Sequence, residues 1–194
     1  MAKKIDQFNI VINGVGGQGL ITLLQVIAEA ALSEGYDIKT SELHGLSQRG
    51  GSVEVHVRFG KKIYSPLVAQ GKADLAISLE LQESLRSCYY AGSQTTFLVN
   101  KQVVAIPLQK SLSEAEVVSG LKKASKKVKL IPASEICQKN VGTSVVAGIY
   151  LISLACFKEI LPLKPASVLK AIKKTIPAKY LELNEKVFSL AKKG

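Results

Sequence analysis

The stretch GVGGQG, Gly14 to Gly19, constrains the fold more than any other feature of the chain, because of what flanks it. Before it, FNIVIN (Phe8 to Asn13) is a short apolar, β-branched run that reads as a buried strand. After it, LITLLQVIAEAALSEG carries apolar residues at helical spacing from Leu20, with Gly35 as a C-terminal stop. YDIKTSE (Tyr36 to Glu42) reads as a second strand. Strand, glycine turn, helix and strand in that order make a βαβ unit, which implies parallel strands joined by a crossover helix.

Gly14, Gly16 and Gly19 satisfy G-x-G-x-x-G, with Gly17 and Gln18 between them. Glycines allow a tight turn and close backbone approach, and the helix that follows offers free N–H groups to an anion. Glu42 stands roughly where a ribose-binding acid would be. The pattern leaves open both a nucleotide site and a strand-to-helix turn without a ligand. A second polar stretch, ELHGLSQRGG, runs from Glu42 to Gly51. Loops that follow parallel strands emerge at the carboxyl ends of those strands, so both stretches belong on one edge. Gln18, Glu42, His44, Ser47, Gln48 and Arg49 can then face one crevice, on a backbone made pliable by Gly45, Gly50 and Gly51. For Arg49 a surface salt bridge is an open alternative, and for His44 a structural hydrogen bond is favoured over chemistry. No nucleophile–base pair is evident.

Further along, SVEVHVRF alternates Val53, Val55, Val57 and Phe59 with Ser52, Glu54, His56 and Arg58, the pattern of a half-exposed strand. GKK can turn it into IYSPL as a hairpin. ADLAISL, TTFLVN and KKVKLIP read as later strands. Helices are expected near QESLRSCYY, over residues 113–125, and then over 142–157, 165–175 and 178–192. No linker rich in Gly, Ser or Pro divides the chain, so residues 1–194 read as one domain. The expected fold is α/β: three layers, a mainly parallel Rossmann-like sheet, an inserted β-hairpin and a helical C-terminus.

Composition narrows the function. The net charge of +11 lies wholly in the second half, mostly as lysine, with a cluster from Lys122 to Lys129. Lysines scattered along helices usually form a solvated face. No RNA-binding aromatic signature, helix-turn-helix or zinc-finger pattern points to nucleic acid. Cys88, Cys137 and Cys156 are far apart and form no CxxC pair, which argues against a disulfide framework and against a cluster or zinc site built by this chain alone. The longest apolar stretch, Val145 to Phe157, is 13 residues, short for a bilayer core of about 30 Å. The N-terminus lacks the regions of a signal peptide, and a cytoplasmic location is expected.

Taken in order, GVGGQG, ELHGLSQRGG, SVEVHVRFG, YSPL, GKADLAISLE and NVGTSVVAGIYLISL resemble the gamma subunit or domain of the 2-oxoacid:ferredoxin oxidoreductases, most of all its indolepyruvate branch. The resemblance implies a subunit of an enzyme that oxidatively decarboxylates a 2-oxoacid, here indolepyruvate or another aryl pyruvate, to an acyl-CoA. Thiamine diphosphate and iron–sulfur clusters would sit on a partner subunit, coenzyme A would be co-substrate, and ferredoxin would accept the electrons. This chain would bind no cofactor alone and be inactive alone. The glycine loops would touch the thiamine-bearing subunit or help to hold coenzyme A. Ser52 to Phe59 and Val145 to Phe157 are candidate docking surfaces, and self-pairing of such surfaces is compatible with a homo-oligomer of the isolated subunit. The competing reading is a stand-alone nucleotide-binding module or NAD(P)-dependent oxidoreductase, resting on Gly14, Gly16, Gly19 and Glu42.

Overall fold

The computed structural model describes residues 5–45, 50–104 and 111–194. Six strands form one sheet: β1 (Gln7–Val15), β2 (Asp37–His44), β3 (Ser52–Gly60), β4 (Ala73–Ser78), β5 (Ala91–Asn100) and β6 (Val128–Ile131). Their spatial order is β2-β3-β1-β4-β5-β6. The pairs β1–β4, β4–β5 and β5–β6 are parallel, while β3 is antiparallel to both β1 and β2. The six α-helices of the described residues are α1 (Leu20–Ser33), α2 (Glu114–Ala124), α3 (Ala133–Val141), α4 (Ala147–Phe157), α5 (Pro165–Thr175) and α6 (Ala178–Ala191). A 3-10 helix spans Gln82–Tyr89.

The three layers follow from which side chains each strand turns to each face. Ile10, Ile12, Val55, Phe59, Leu75, Ile77 and Leu98 share the large core with α1 and α3 to α6. Ala76, Phe97 and Val99 face the other way, against α2 and the 3-10 helix. β1 is buried on both faces, hence its continuous apolar run. α4 is buried almost all round, and a Cβ on Gly148 would stand 2.8 Å from Leu23 Cδ1. The absence of that carbon lets α1 and α4 approach closely.

Three details differ from the sequence expectation. β1 and β2 point the same way, but β3 lies between them, so the βαβ strands are not neighbours. The antiparallel hairpin is present, with β2 rather than IYSPL as the partner of β3. Residues 61–72 instead cross the polar face of β3 without strand structure. Pro66 has no N–H for a ladder, and side chains of the sheet hold this segment. Asp37 accepts from Ile63 N–H at 2.7 Å, Arg58 donates to the carbonyls of Ser65 and Leu67, and His56 Nδ1 accepts from Val68 N–H at 3.0 Å. The face read as half-exposed is therefore largely covered, and His56 is buried. Lastly, α3 was not expected, and α4 begins at Ala147 because Gly142, at φ +79°, ends α3 first.

The described lysines of the second half are exposed, on helix faces, on the short edge strand β6 and in the turns between elements. Lys101, Lys173, Lys174 and Lys186 pair with Glu114, Glu185, Glu29 and Glu182. Among the described residues, no helix is long and apolar enough to cross a membrane.

Cys137 and Cys156 lie in the large core, where burial pushes their thiols up to about 11 and about 12; burial also raises Cys88. Only the thiolate reacts with alkylating agents. At pH 8 the native chain is therefore expected to take up iodoacetamide at Cys137 and Cys156 at least about a hundredfold more slowly than in guanidinium. Mass spectrometry of timed quenches reads this, and rapid labelling of either residue in native protein would contradict it.

Candidate functional site

The crossovers diverge between β1 and β4. α1 leaves β1 toward one face, and the 3-10 helix leaves β4 toward the other. Ligands of open α/β sheets bind at such a switch point, outside the carboxyl ends of the strands. The glycine loop stands there. Gly17 at φ +104° and Gly19 at φ +80° take left-handed conformations that side chains disfavour. Gln18 latches the turn: its Oε1 accepts from Val15 N–H at 2.8 Å, and its Nε2 donates to the Leu79 carbonyl at 3.4 Å.

The structure brings the start of this loop against the end of the second stretch. Gly16 N–H donates to the Gly51 carbonyl at 2.8 Å, and Gly50 N–H donates to the Gly16 carbonyl at 3.4 Å. Gly45 N–H reaches the Ser52 carbonyl at 3.5 Å. Ser47, Gln48 and Arg49 lie outside the described residues. Glu42 and His44 are exposed on β2 and bond to each other at 3.2 Å. Because β3 intervenes, Glu42 is two strand spacings, about 10 Å, from β1. In a simple βαβ unit it would lie on the adjacent strand, so the arrangement needed for a ribose-binding acid is not formed.

Beside the glycine loop lies a cleft of about 230 Å³. Its walls include Gly17, Gln18, Asn100, Gln102, Ser134 and Ser144, and none of its lining residues is charged. It is bordered by the amino ends of α1, α3 and α4, represented by Gln18, Ser134 and Ala147. In none of these helices does the N-cap residue itself cap the first turn, although on α3 the Ser134 N–H is taken by Asn100 Oδ1. The positive ends of helix dipoles thus border a space that no charged side chain among the described residues lines. A larger hollow of about 660 Å³ adjoins it, sharing Gln18, Val145 and Gly148. It runs between α1, α4 and the α5–α6 turn and is mostly apolar, with Tyr180 and the 73% exposed Val145 at its rim.

Sequence reasoning missed the residues that hold this edge together. Glu80 is only 2% exposed; it accepts from Glu83 N–H at 2.7 Å and Val104 N–H at 3.2 Å. The signal was a carboxylate directly ending the apolar run LAISLE. Asn100 ends TTFLVN in the same way and is also buried. On the far face Glu54 accepts from His56, Tyr90 and Asn13. Burial works to raise its carboxyl, but those three hydrogen bonds outweigh it and hold it below the usual carboxylate range. Among the described residues no group of three or more His, Cys, Asp or Glu could hold a metal ion. Cys137 and Cys156 sit in the core on one side of the sheet and Cys88 on the other, so this donor set does not fit an iron–sulfur cluster.

The fold defines an α/β domain with a mixed sheet and a glycine loop at its switch point. The chain belongs to the pyruvate ferredoxin/flavodoxin oxidoreductase family, whose model matches residues 9–193. It is 35% identical over 190 residues to the indolepyruvate oxidoreductase subunit IorB of Archaeoglobus fulgidus, covering 95% of this chain and 93% of that one. In fold it is similar to the keto/oxoacid ferredoxin oxidoreductase gamma subunit of Geobacter sulfurreducens, with TM-score 0.68, 22% identity and 96% and 95% of the two chains covered. It is also similar to part of the 2-oxoglutarate:ferredoxin oxidoreductase of Magnetococcus marinus, whose structure holds 2-oxoglutarate, coenzyme A and succinyl-CoA. There the TM-score is 0.72 at 16% identity, over 97% of this chain and 31% of that one.

Proposed function

We propose that this chain is the gamma-type subunit of an oxidoreductase that oxidatively decarboxylates indolepyruvate, or a related aryl pyruvate, to its acyl-CoA and passes the electrons to ferredoxin. The thiamine diphosphate and iron–sulfur clusters that supply the redox chemistry belong, in this reading, to a partner subunit. The role of this chain is to present its carboxyl edge to coenzyme A and to that partner. The observation that carries the reading is the cleft, lined by no charged residue among those described and bordered by three helix amino ends, those of α1 and α4 without a side-chain cap. Such ends stabilise phosphate without a counter-charge, and the adjoining apolar hollow suits a long neutral arm. Coenzyme A joins phosphates to such an arm. The substrate assignment follows the name of the Archaeoglobus relative.

Reconstitution tests it. With the thiamine- and cluster-bearing subunit present, indolepyruvate is expected to reduce a viologen dye in a coenzyme A-dependent reaction, faster than pyruvate does. This chain alone is expected to be inactive, and calorimetry should find no sub-micromolar binding of NAD(P) or FAD. Turnover by this chain alone, or undiminished turnover by the partner without it, would sink the proposal. Tight nicotinamide binding would favour the nucleotide-binding alternative.

A further inference from the structure

The loop after β1 and the end of β5 meet at one carbonyl oxygen, that of Leu79 in the segment after β4. Gln18, from the loop after β1, donates to it at 3.4 Å, and Asn100, at the end of β5, donates to it at 3.0 Å. The same Asn100 amide grips the amino end of α3, which follows β6. Its Nδ2 donates to Ser134 Oγ at 2.7 Å, and its Oδ1 accepts from Ser134 N–H at 3.1 Å. Donors and acceptor are thus all engaged, which fixes the amide's orientation. Asn100 is 1% exposed.

This clamp is not needed to hold the sheet. Beneath it β4 and β5 are already paired through Ile77 with Leu98 and Ser78 with Val99, and β5 and β6 through Val99 with Leu130. What the clamp adds is a fixed separation between the glycine loop and the amino end of α3. Gln18, Leu79, Asn100 and Ser134 all line the cleft. We propose that Asn100 is a positioning residue for the cleft, acting through the Leu79 carbonyl on Gln18 and through Ser134 on α3. It sets the spacing of the helix amino ends that border an anionic ligand. This inference rests on the reading of the cleft as the coenzyme A contact.

Asn100→Asp is nearly isosteric and keeps an acceptor for Ser134 N–H, but it sets a carboxylate oxygen against the Leu79 carbonyl. Ser134→Ala leaves the Leu79 arm intact. In the assembled oxidoreductase, N100D is expected to raise KM for coenzyme A roughly 3- to 15-fold, the worth of one or two neutral hydrogen bonds, with kcat and KM for the 2-oxoacid held within about twofold. S134A should move KM for coenzyme A by less than about threefold. A purely structural role would lower the melting temperature and leave KM alone, and that result overturns the proposal. So does an N100D enzyme in which KM for both substrates rises together. If N100D does not assemble, Gln18→Met removes the other arm onto the same carbonyl, and an unchanged KM there is decisive against the clamp. Gly17→Val separates the two readings. A G17V enzyme with normal KM for coenzyme A refutes the cleft itself, whereas a raised KM in G17V with a normal one in N100D refutes only Asn100.

Discussion

Gly14→Ala is expected to cost the assembled enzyme roughly 5- to 150-fold in coenzyme A-dependent turnover while leaving the fold largely intact. A Cβ at position 14 would stand 2.7 Å from Gln18 Oε1. That atom is the far end of a flexible side chain, so it swings away and the backbone stays. The cost falls on function, because the displaced Gln18 is the latch between Val15 N–H and the Leu79 carbonyl. Two neutral hydrogen bonds at a partly wet edge are worth about 1–3 kcal/mol together. The remaining contacts, 3.2 Å to Leu20 Cδ1 and 3.3 Å to Leu79 Cβ, require shifts of a few tenths of an ångström. Thermal melting and steady-state kinetics on the same preparation separate the effects. A G14A enzyme with full activity, or one whose activity loss simply tracks its unfolded fraction, would make the loop a structural turn.

Gly14 also marks how far the sequence could be read. The strand, glycine turn and helix at the start were legible because each has a local cause: apolar β-branched residues, left-handed glycines and an apolar stripe at helical spacing. The placement of β3 was not, because strand order is a long-range choice. SVEVHVRFG shows alternation, which tells which side chains share a face but not which strand lies alongside. Once β3 enters between β1 and β2, Glu42 moves away from the glycine loop, and a motif that reads as nucleotide-binding loses its acid. For the same reason the cleft could not be read from its parts. Gln18, Asn100 and Ser134 come from three segments, and nothing local to TTFLVN says that its terminal amide will reach α3. Glu54 and His56 were visible only as the outer face of a strand; the segment that buries them carries no strand or helix pattern of its own.

That buried face is where the largest loss of stability is expected. Glu54→Leu removes one carboxylate that three groups share. His56 Nδ1 accepts from Val68 N–H, so the ring proton lies on Nε2 and is donated to Glu54 at 3.0 Å. Tyr90 donates its hydroxyl at 2.6 Å, and Asn13 its amide at 3.1 Å. His56 and Asn13 are buried and cannot turn to water. Each buried donor left without a partner costs about 1–3 kcal/mol, so E54L should lose about 3 kcal/mol or more, a fall of about 6–12 °C in Tm for a chain of this size. Tyr90→Phe removes a single bond and should lose about 1 kcal/mol. The pH dependence follows from the same contacts. The Glu54 carboxyl is held below its ordinary value of 4.5, so its contribution is present above that pH and disappears as the pH falls through the lowered value. Tyr90 is pushed up to about 12 by burial and then by Glu54 and Tyr89, so its contribution is present below about pH 10 and disappears as the pH rises toward 12. Denaturant titrations across pH should show a plateau between these limits. Y90F should weaken the alkaline fall, and E54L should weaken both. An E54L chain that melts within about 2 °C of the parent would show that the three donors find other partners, and that the segment of residues 61–72 is held without this carboxylate.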